Sequence, residues 1–387
     1  MMGVDRKMQR TQVEKNDVNV KIIFRILSCL LALWMLLGAF VSCTASDPQN
    51  NAVDSVNGED TSEKMTIAGD HKEKTKDQEK AIDIYLIAGQ SNAAGSTSIS
   101  DRDSAYAYAP ELKTGFDHIL FSGKASDSDF YTWRKTTLGL GRGKSGNCFG
   151  PEAGMAKALS AYYNSETGNT AGFIKVAYGG TNLLNDTGGS NEAYGGNWVS
   201  PSYAAAKGYS YKNGNITGGL YRNLLSIARQ QITLLESSDY HVNIKGLYWM
   251  QGENDRQNPT EYQVAFGYLV QDLRHDLSEM MKEITGGDDR GASEMPILVG
   301  TISKTFNDAS ESSVQTNTAF INMQKSLPSL PDVGSIVIVD NSDYNVNRMV
   351  GPVGVVVGSD NCHWNQSDHL AIGENVGNAI LAYYGLK

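Results

Sequence analysis

Apolar residues in this chain gather in short, nearly continuous runs that stop at small polar turns, and stretches of helical spacing lie between them. Residues 82–88, IDIYLIA, are β-branched and almost unbroken, the pattern of a strand buried on both faces. Similar runs lie at 173–177 (FIKVA), 244–250 (IKGLYWM), 296–301 (PILVGT) and 335–339. Helical patterns occupy 153–164, introduced by Pro151, then 220–235, 259–282, 313–326 and 367–384. Residues 118–121 read as a short strand, 104–114 as irregular, and 185–215 as a long ordered loop. Alternating strands and helices predict an α/β protein, a three-layer α/β/α sandwich around a mainly parallel five-stranded sheet.

The amino terminus reads differently. Lys21 and Arg25 precede an apolar run over 26–42 that is barely long enough to span a bilayer, and Cys43 follows at once. The ending Phe40-Val41-Ser42-Cys43 resembles a bacterial lipobox. Residues 1–43 are therefore expected to be a signal peptide with lipidation at Cys43, or else an uncleaved signal anchor. Residues 44–80 are rich in Asp, Glu, Asn, Ser and Lys without an aromatic residue, which predicts a disordered tether. The folded domain is then 81–387. The protein is expected to be exported to a bacterial cell envelope, periplasmic or surface-facing, and to meet the membrane only through that lipid or anchor.

A formal net charge of −10 and the lack of clustered Lys and Arg argue against a nucleic-acid surface. Two of the four cysteines, Cys29 and Cys43, fall in the leader, and the remaining pair, Cys148 and Cys362, has no zinc spacing. The segment 141–145, GRGKS, echoes a phosphate loop, but Leu138 stands where the first glycine is required.

The candidate chemistry begins where the first strand ends. Gly89 is followed by Gln90, Ser91 and Asn92, and ligands in open α/β sheets bind beyond the carboxyl ends of the strands. A serine becomes a useful nucleophile when a histidine takes its proton and a carboxylate holds that histidine in one tautomer. Asp360 and His363 are close enough for one loop to present both. His369 is a competing base, expected on the surface of the last helix.

Taken in order, Gly89-Gln90-Ser91-Asn92, Gly150-Pro151-Glu152, Gly179-Gly180-Thr181, Gln251-Gly252-Glu253 and Asp360-x-x-His363 resemble the SGNH-type esterases. More narrowly they resemble the sialate O-acetylesterase and acetylxylan-esterase branch, carbohydrate-esterase family six. The resemblance implies a flavodoxin-like fold and a serine esterase that removes O-acetyl groups from acetylated xylan or O-acetylated sialic acid through an acetyl-enzyme. It implies neither metal nor organic cofactor, and an acetylated oligo- or polysaccharide as partner. Ser91 would be the nucleophile, His363 the base and Asp360 its orienting carboxylate. The oxyanion donors would be the backbone amides of Ser91 and Gly179 and the side-chain amide of Gln251, with Asn254 an alternative. Gln90, Asn92 and Trp364 are the candidates for substrate binding, and Trp198, Tyr194 and Tyr203 for stacking on a sugar. Glu152 and Glu253 are expected to buttress loops.

Cys148 and Cys362 flank these motifs, and in an exported domain a disulfide between them is expected to pin the catalytic loop. Two other functions stay open on the same fold: a non-catalytic glycan-binding lipoprotein, and a lipase or thioesterase acting on longer acyl esters.

Overall fold

The computed structural model describes residues 80–386 except 126–127, 142–145, 185–197, 210, 213–214, 217, 308, 345 and 347–359. The expected leader with Cys43, the tether up to residue 79, the phosphate-loop echo at 142–145 and Tyr194 lie outside the described residues.

Seven strands form the central sheet: β1 (Lys80–Gly89), β2 (Phe116–Ala125), β3 (Ser128–Thr136), β4 (Thr170–Ala177), β5 (Tyr240–Met250), β6 (Ile297–Gly300) and β7 (Ile336–Val339). Their spatial order is β7-β6-β5-β1-β4-β2-β3. Every neighbouring pair is parallel except β2 with β3 at the edge. The sheet thus corrects the expected five strands to seven. The five parallel runs read from hydrophobicity are all present, and the hairpin of β2 and β3 extends the sheet beyond β4.

The helices are α1 (Ser91–Ala94), α2 (Arg102–Tyr108), α3 (Glu111–Thr114), α4 (Glu152–Leu159), α5 (Pro201–Lys207), α6 (Gly219–Glu236), α7 (Pro259–Thr285), α8 (Glu311–Ser326) and α9 (Gln366–Tyr384). Two expectations fail here. The stretch 104–114 is largely helical, started by Asp101, whose carboxylate caps the Ser104 N–H. The loop expected over 185–215 contains α5.

Strand periodicity divides the core in two. Ile82, Ile84, Leu86 and Ala88 of β1 face a cluster with Leu224 and Ile232 of α6 and Leu269 and Leu273 of α7. Tyr85 and Ile87 face the opposite cluster, with Met155 and Leu159 of α4 and Ile372, Val376 and Ile380 of α9. Near-complete burial on both sides explains why β1 is apolar at nearly every position rather than at alternate ones.

Where β1 ends, Gly89 adopts φ +138°, and a Cβ there would collide with the Met250 carbonyl. Only glycine lets β1 close on β5 and then turn at once into α1. On the other face, α4 and α9 cross backbone to backbone, since a Cβ on Gly154 would strike the Leu370 carbonyl and one on Gly373 the Pro151 carbonyl. That crossing fixes the helix that follows Asp360 and His363 against the turn at residues 150–152.

Candidate active site

The sheet order brings together loops that are far apart in sequence. Ser91 follows β1, Gly179 follows β4 and Gln251 follows β5, and these strands are adjacent in the order β5-β1-β4. Three of the expected motifs therefore meet at the carboxyl edge of the sheet centre. The last of the five, Asp360 to His363, leads into α9.

Ser91 opens α1 and is mostly buried, at 8% exposure. As the first residue of a helix, its N–H has no intrahelical acceptor. Asn92 ties the serine's loop to two others: its Nδ2 donates to Glu253 Oε1 at 2.8 Å and to the Cys362 carbonyl at 3.2 Å. The second bond holds the backbone immediately before His363 to the residue immediately after Ser91. Among the described residues the Ser91 hydroxyl makes no hydrogen bond, so the serine and His363 share a neighbourhood without a direct bond.

The Asp360 and His363 loop is internally ordered. Asp360 Oδ1 accepts the backbone N–H groups of Cys362 and His363, each at 3.0 Å, and Oδ2 lies 2.9 Å from His363 Nδ1. Partial burial pushes the Asp360 carboxyl up, but these donors outweigh it and hold the group below the ordinary carboxylate range. An ionised Asp360 at Nδ1 leaves Nε2 of the neutral ring as the proton acceptor.

Gln251 departs from the expected oxyanion donor. It is fully buried, and its Nε2 contacts Asp255 Oδ2 at 2.6 Å, the Thr181 carbonyl at 3.2 Å and Gln90 Oε1 at 3.4 Å. Its amide hydrogens are turned onto the loops. Asp255, which the motif reading passed over, also accepts Leu183 N at 2.7 Å and Asn182 Nδ2 at 3.1 Å. Burial raises the Asp255 pKa against the pull of these donors. Together Gln251 and Asp255 pin the turn at Gly179 and Gly180, the latter at φ +71°, to the end of β5.

The three residues named for substrate binding do other work. Gln90 and Asn92 are each 2% exposed and bond within the protein, and Trp364 is 1% exposed. Trp364 Nε1 donates to the Tyr344 carbonyl at 3.2 Å and its ring packs edge-on against His369, so it has no open face for a sugar. Trp198 and Tyr203 are likewise buried, Trp198 edge-on against Trp249. Asn254 is half-buried, and no bond ties its side chain among the described residues.

His369 is a further correction, being buried rather than on the surface. Its Nδ1 lies 2.6 Å from Thr97 Oγ1, which also reaches the Trp364 carbonyl at 3.1 Å. Burial drives its pKa down to about 3, assisted by the charges of Lys175 and His363 and opposed by the Asn92 carbonyl. It is a poor base, and it joins the nucleophile loop to the segment after His363. The expected disulfide is absent: Cys148 and Cys362, both half-buried, are not joined, and the Cys362 thiol donates to Asn361 Oδ1 at 3.2 Å.

Glu152 and Glu253 buttress loops, as expected. Glu152 pairs with Lys175 at 3.0 Å, and Glu253 supports Asn92. Burial raises the Glu253 pKa, with the Asn92 bond opposing. Arg256 carried no sequence signal. Its guanidinium donates to the Glu253 carbonyl at 2.6 Å and stacks 5.0 Å from the Phe306 ring centre. Asn307, next in the chain, donates its N–H to the Asn361 carbonyl at 2.9 Å, which places this cation beside the His363 loop. Among the described residues Arg256 forms no ion pair.

The family model described as carbohydrate esterase, sialic acid-specific acetylesterase matches residues 81–382. Among solved structures, NanS is 13% identical over 80% of this chain and 99% of its own, with a TM-score of 0.50. A carbohydrate acetylesterase from Xanthomonas citri, XAC1771, is 16% identical over 78% of this chain and 56% of its own, at a TM-score of 0.42. Est24, a carbohydrate acetylesterase from Sinorhizobium meliloti, is 10% identical over 78% and 99%, at 0.38. At such identities the likeness to NanS is one of fold. No curated protein sequence matches this chain.

Proposed function

Since the chain belongs to the carbohydrate esterase family of sialic acid-specific acetylesterases, we propose that it is a serine esterase of the SGNH type that removes O-acetyl groups from a carbohydrate through an acetyl-enzyme. Ser91 Oγ attacks the acetyl carbonyl while His363 Nε2 takes the hydroxyl proton. The charge that develops on the carbonyl oxygen is met by the backbone N–H groups of Ser91 and Gly179, and deleting one such donor typically costs about 3 kcal/mol of barrier. His363 returns the proton to the departing sugar oxygen. Water, activated by the same imidazole, then releases acetate and restores Ser91. Gln251 supports this geometry by holding the Thr181 carbonyl and so the turn that carries Gly179.

The observation that carries the proposal is the 2.9 Å contact of Asp360 with His363 Nδ1, in a loop tied by Asn92 to the residue beside Ser91. A glycan-binding surface has no use for a base held in one tautomer next to a serine. Arg256, in no salt bridge among the described residues and acting on the Glu253 carboxylate only through space, favours a glycan bearing its own carboxylate, such as an O-acetylated sialic acid, over neutral acetylated xylan.

The test is acetate release from O-acetylated sialic acid, acetylated xylan and a small aryl acetate, by the wild-type protein and Ser91→Ala side by side. Release that disappears in the variant supports the proposal. A folded wild type that releases no acetate from any of the three returns the protein to glycan binding or to longer acyl esters. The apolar run over 26–42 and Cys43 support export with a lipid or signal anchor, and a Cys43→Ala protein appearing in the soluble fraction would favour the lipid.

A further inference from the structure

Below the Ser91 loop lies an ion pair with no exposure to solvent. Lys175, in the middle of β4, and Glu152, at the start of α4, are both fully buried, with Nζ 3.0 Å from Oε2. The ammonium makes its other two bonds to backbone, to the Leu140 carbonyl at 2.9 Å and to the Ala94 carbonyl at 3.1 Å. Glu152 uses its second oxygen on the Gly150 N–H at 2.9 Å. Each hydrogen of the ammonium and both carboxylate oxygens have a partner.

Those partners are informative. Ala94 is the last residue of α1, the four-residue helix that begins with Ser91. Its carbonyl lies beyond the reach of any intrahelical N–H, and Lys175 supplies the missing donor. Lys175 also stands in the strand that runs directly through Val176, Ala177 and Tyr178 into Gly179. One residue therefore grips the serine's helix with its side chain and carries the Gly179 turn on its backbone.

Stability alone gives little reason for such a pair. Two charges removed from water recover their desolvation cost only with full hydrogen bonding, and apolar replacement of both partners is often neutral or stabilising. A cation in the centre of an apolar strand calls for another reason, and its contacts supply one.

We propose that Lys175 and Glu152 are a positioning pair that sets Ser91 in register with the Gly179 amide. The pair touches neither substrate nor reacting atoms, and acts through the placement of α1. This rests on Ser91 being the nucleophile. Loss of the pair lets α1 shift against β4, and a displacement of ~1 Å at reacting groups can cost on the order of 100-fold in rate.

The experiment compares wild type, Lys175→Met/Glu152→Met, Glu152→Gln and Ser91→Ala in full-length protein. It records thermal unfolding, kcat and KM on an aryl acetate, and the rate at which a small organophosphonate modifies Ser91. The double variant is expected to unfold cooperatively near the wild-type temperature, with kcat reduced roughly 10- to 100-fold and KM within about twofold. Phosphonate modification falls in parallel. Glu152→Gln removes the charge and keeps one acceptor oxygen, so that the Gly150 N–H or the Lys175 ammonium loses its partner to an NH2 group, and it is expected to stay folded with a several-fold loss confined to kcat.

A folded double variant with wild-type kcat, or a loss confined to KM, overturns the proposal. If the double variant does not fold, unchanged kcat and phosphonate reactivity in Glu152→Gln overturn it instead. Ser91→Ala separates the two levels: if it hydrolyses ester as fast as wild type, the nucleophile assignment itself has failed. If it is inactive while the double variant is fully active, only the positioning role has.

Discussion

Acidification should destabilise this protein partly through His369. The imidazole titrates near 6.5 in an unfolded chain, whereas burial against Trp364 and Phe149, with Lys175 and His363 nearby, lowers it to about 3 in the fold. The unfolded state therefore binds more protons than the folded state between those values, and stability rises with pH across the window. The full contribution is present above about pH 6.5 and is progressively lost below it, down to about pH 3. At pH 4.5, two units below the unfolded value, the loss amounts to roughly 3 kcal/mol at ~1.4 kcal/mol per unit. His369→Gln keeps an amide near Thr97 and removes the titration. Urea unfolding of both proteins at pH 7 and pH 4.5 gives the difference of differences. Glu253, Asp255 and Asp368, whose raised carboxyl pKa values act with the opposite sign, are common to both proteins and cancel. The wild type should lose about 3 kcal/mol more than the variant. Equal losses would refute the burial argument for this ring.

Other outcomes follow from the same geometry. Asp360→Asn removes the charge that orients His363, and kcat on aryl acetate should fall by about 100- to 10,000-fold with KM little changed. Because the Asp360 carboxyl is held low, its stabilising contribution is present above the ordinary carboxylate range and disappears as pH falls through its depressed folded value. Thermal unfolding of wild type and Asp360→Asn should therefore converge in strong acid. Arg256→Gln should raise KM for an O-acetylated sugar carboxylate while leaving KM for a neutral acetylated sugar unchanged, as measured by acetate release. Trp364→Ala should cost about 3–5 kcal/mol in denaturant unfolding, the range for a buried aromatic truncated to alanine; a loss below 1 kcal/mol would show the ring to be accessible.

The parallel strands were readable because burial on both faces forces a continuous apolar run, as in residues 82–88. The β2 and β3 hairpin was largely hidden. Phe116–Ala125 and Ser128–Thr136 mix charged, aromatic and small residues without clean alternation, and β3 is an edge strand. The short motifs marked the loops but not the duties of each side chain. Gln90 and Asn92 flank Ser91 and Trp364 follows His363, the composition of a binding surface, yet each is turned inward to hold one loop against another. His369 looked like a surface residue because its partners, Thr97 and the Trp364 carbonyl, come from other segments. Lys175 left a visible trace, a charge inside FIKVA, which a strand buried on both faces tolerates only with a buried partner. Arg256 left none, since its place beside the site depends on Phe306 and the Asn307 contact with Asn361.

Acetyl transfer to Ser91 is tested most directly by mixing the protein with an aryl acetate, quenching in acid within milliseconds, and reading the peptide that carries Ser91 by mass spectrometry. An acetyl group on Ser91, formed in a burst of aryl alcohol and absent from Ser91→Ala, is the predicted result. Steady hydrolysis with no acetyl group on Ser91 at any quench time, or equal turnover by Ser91→Ala, would contradict the serine mechanism.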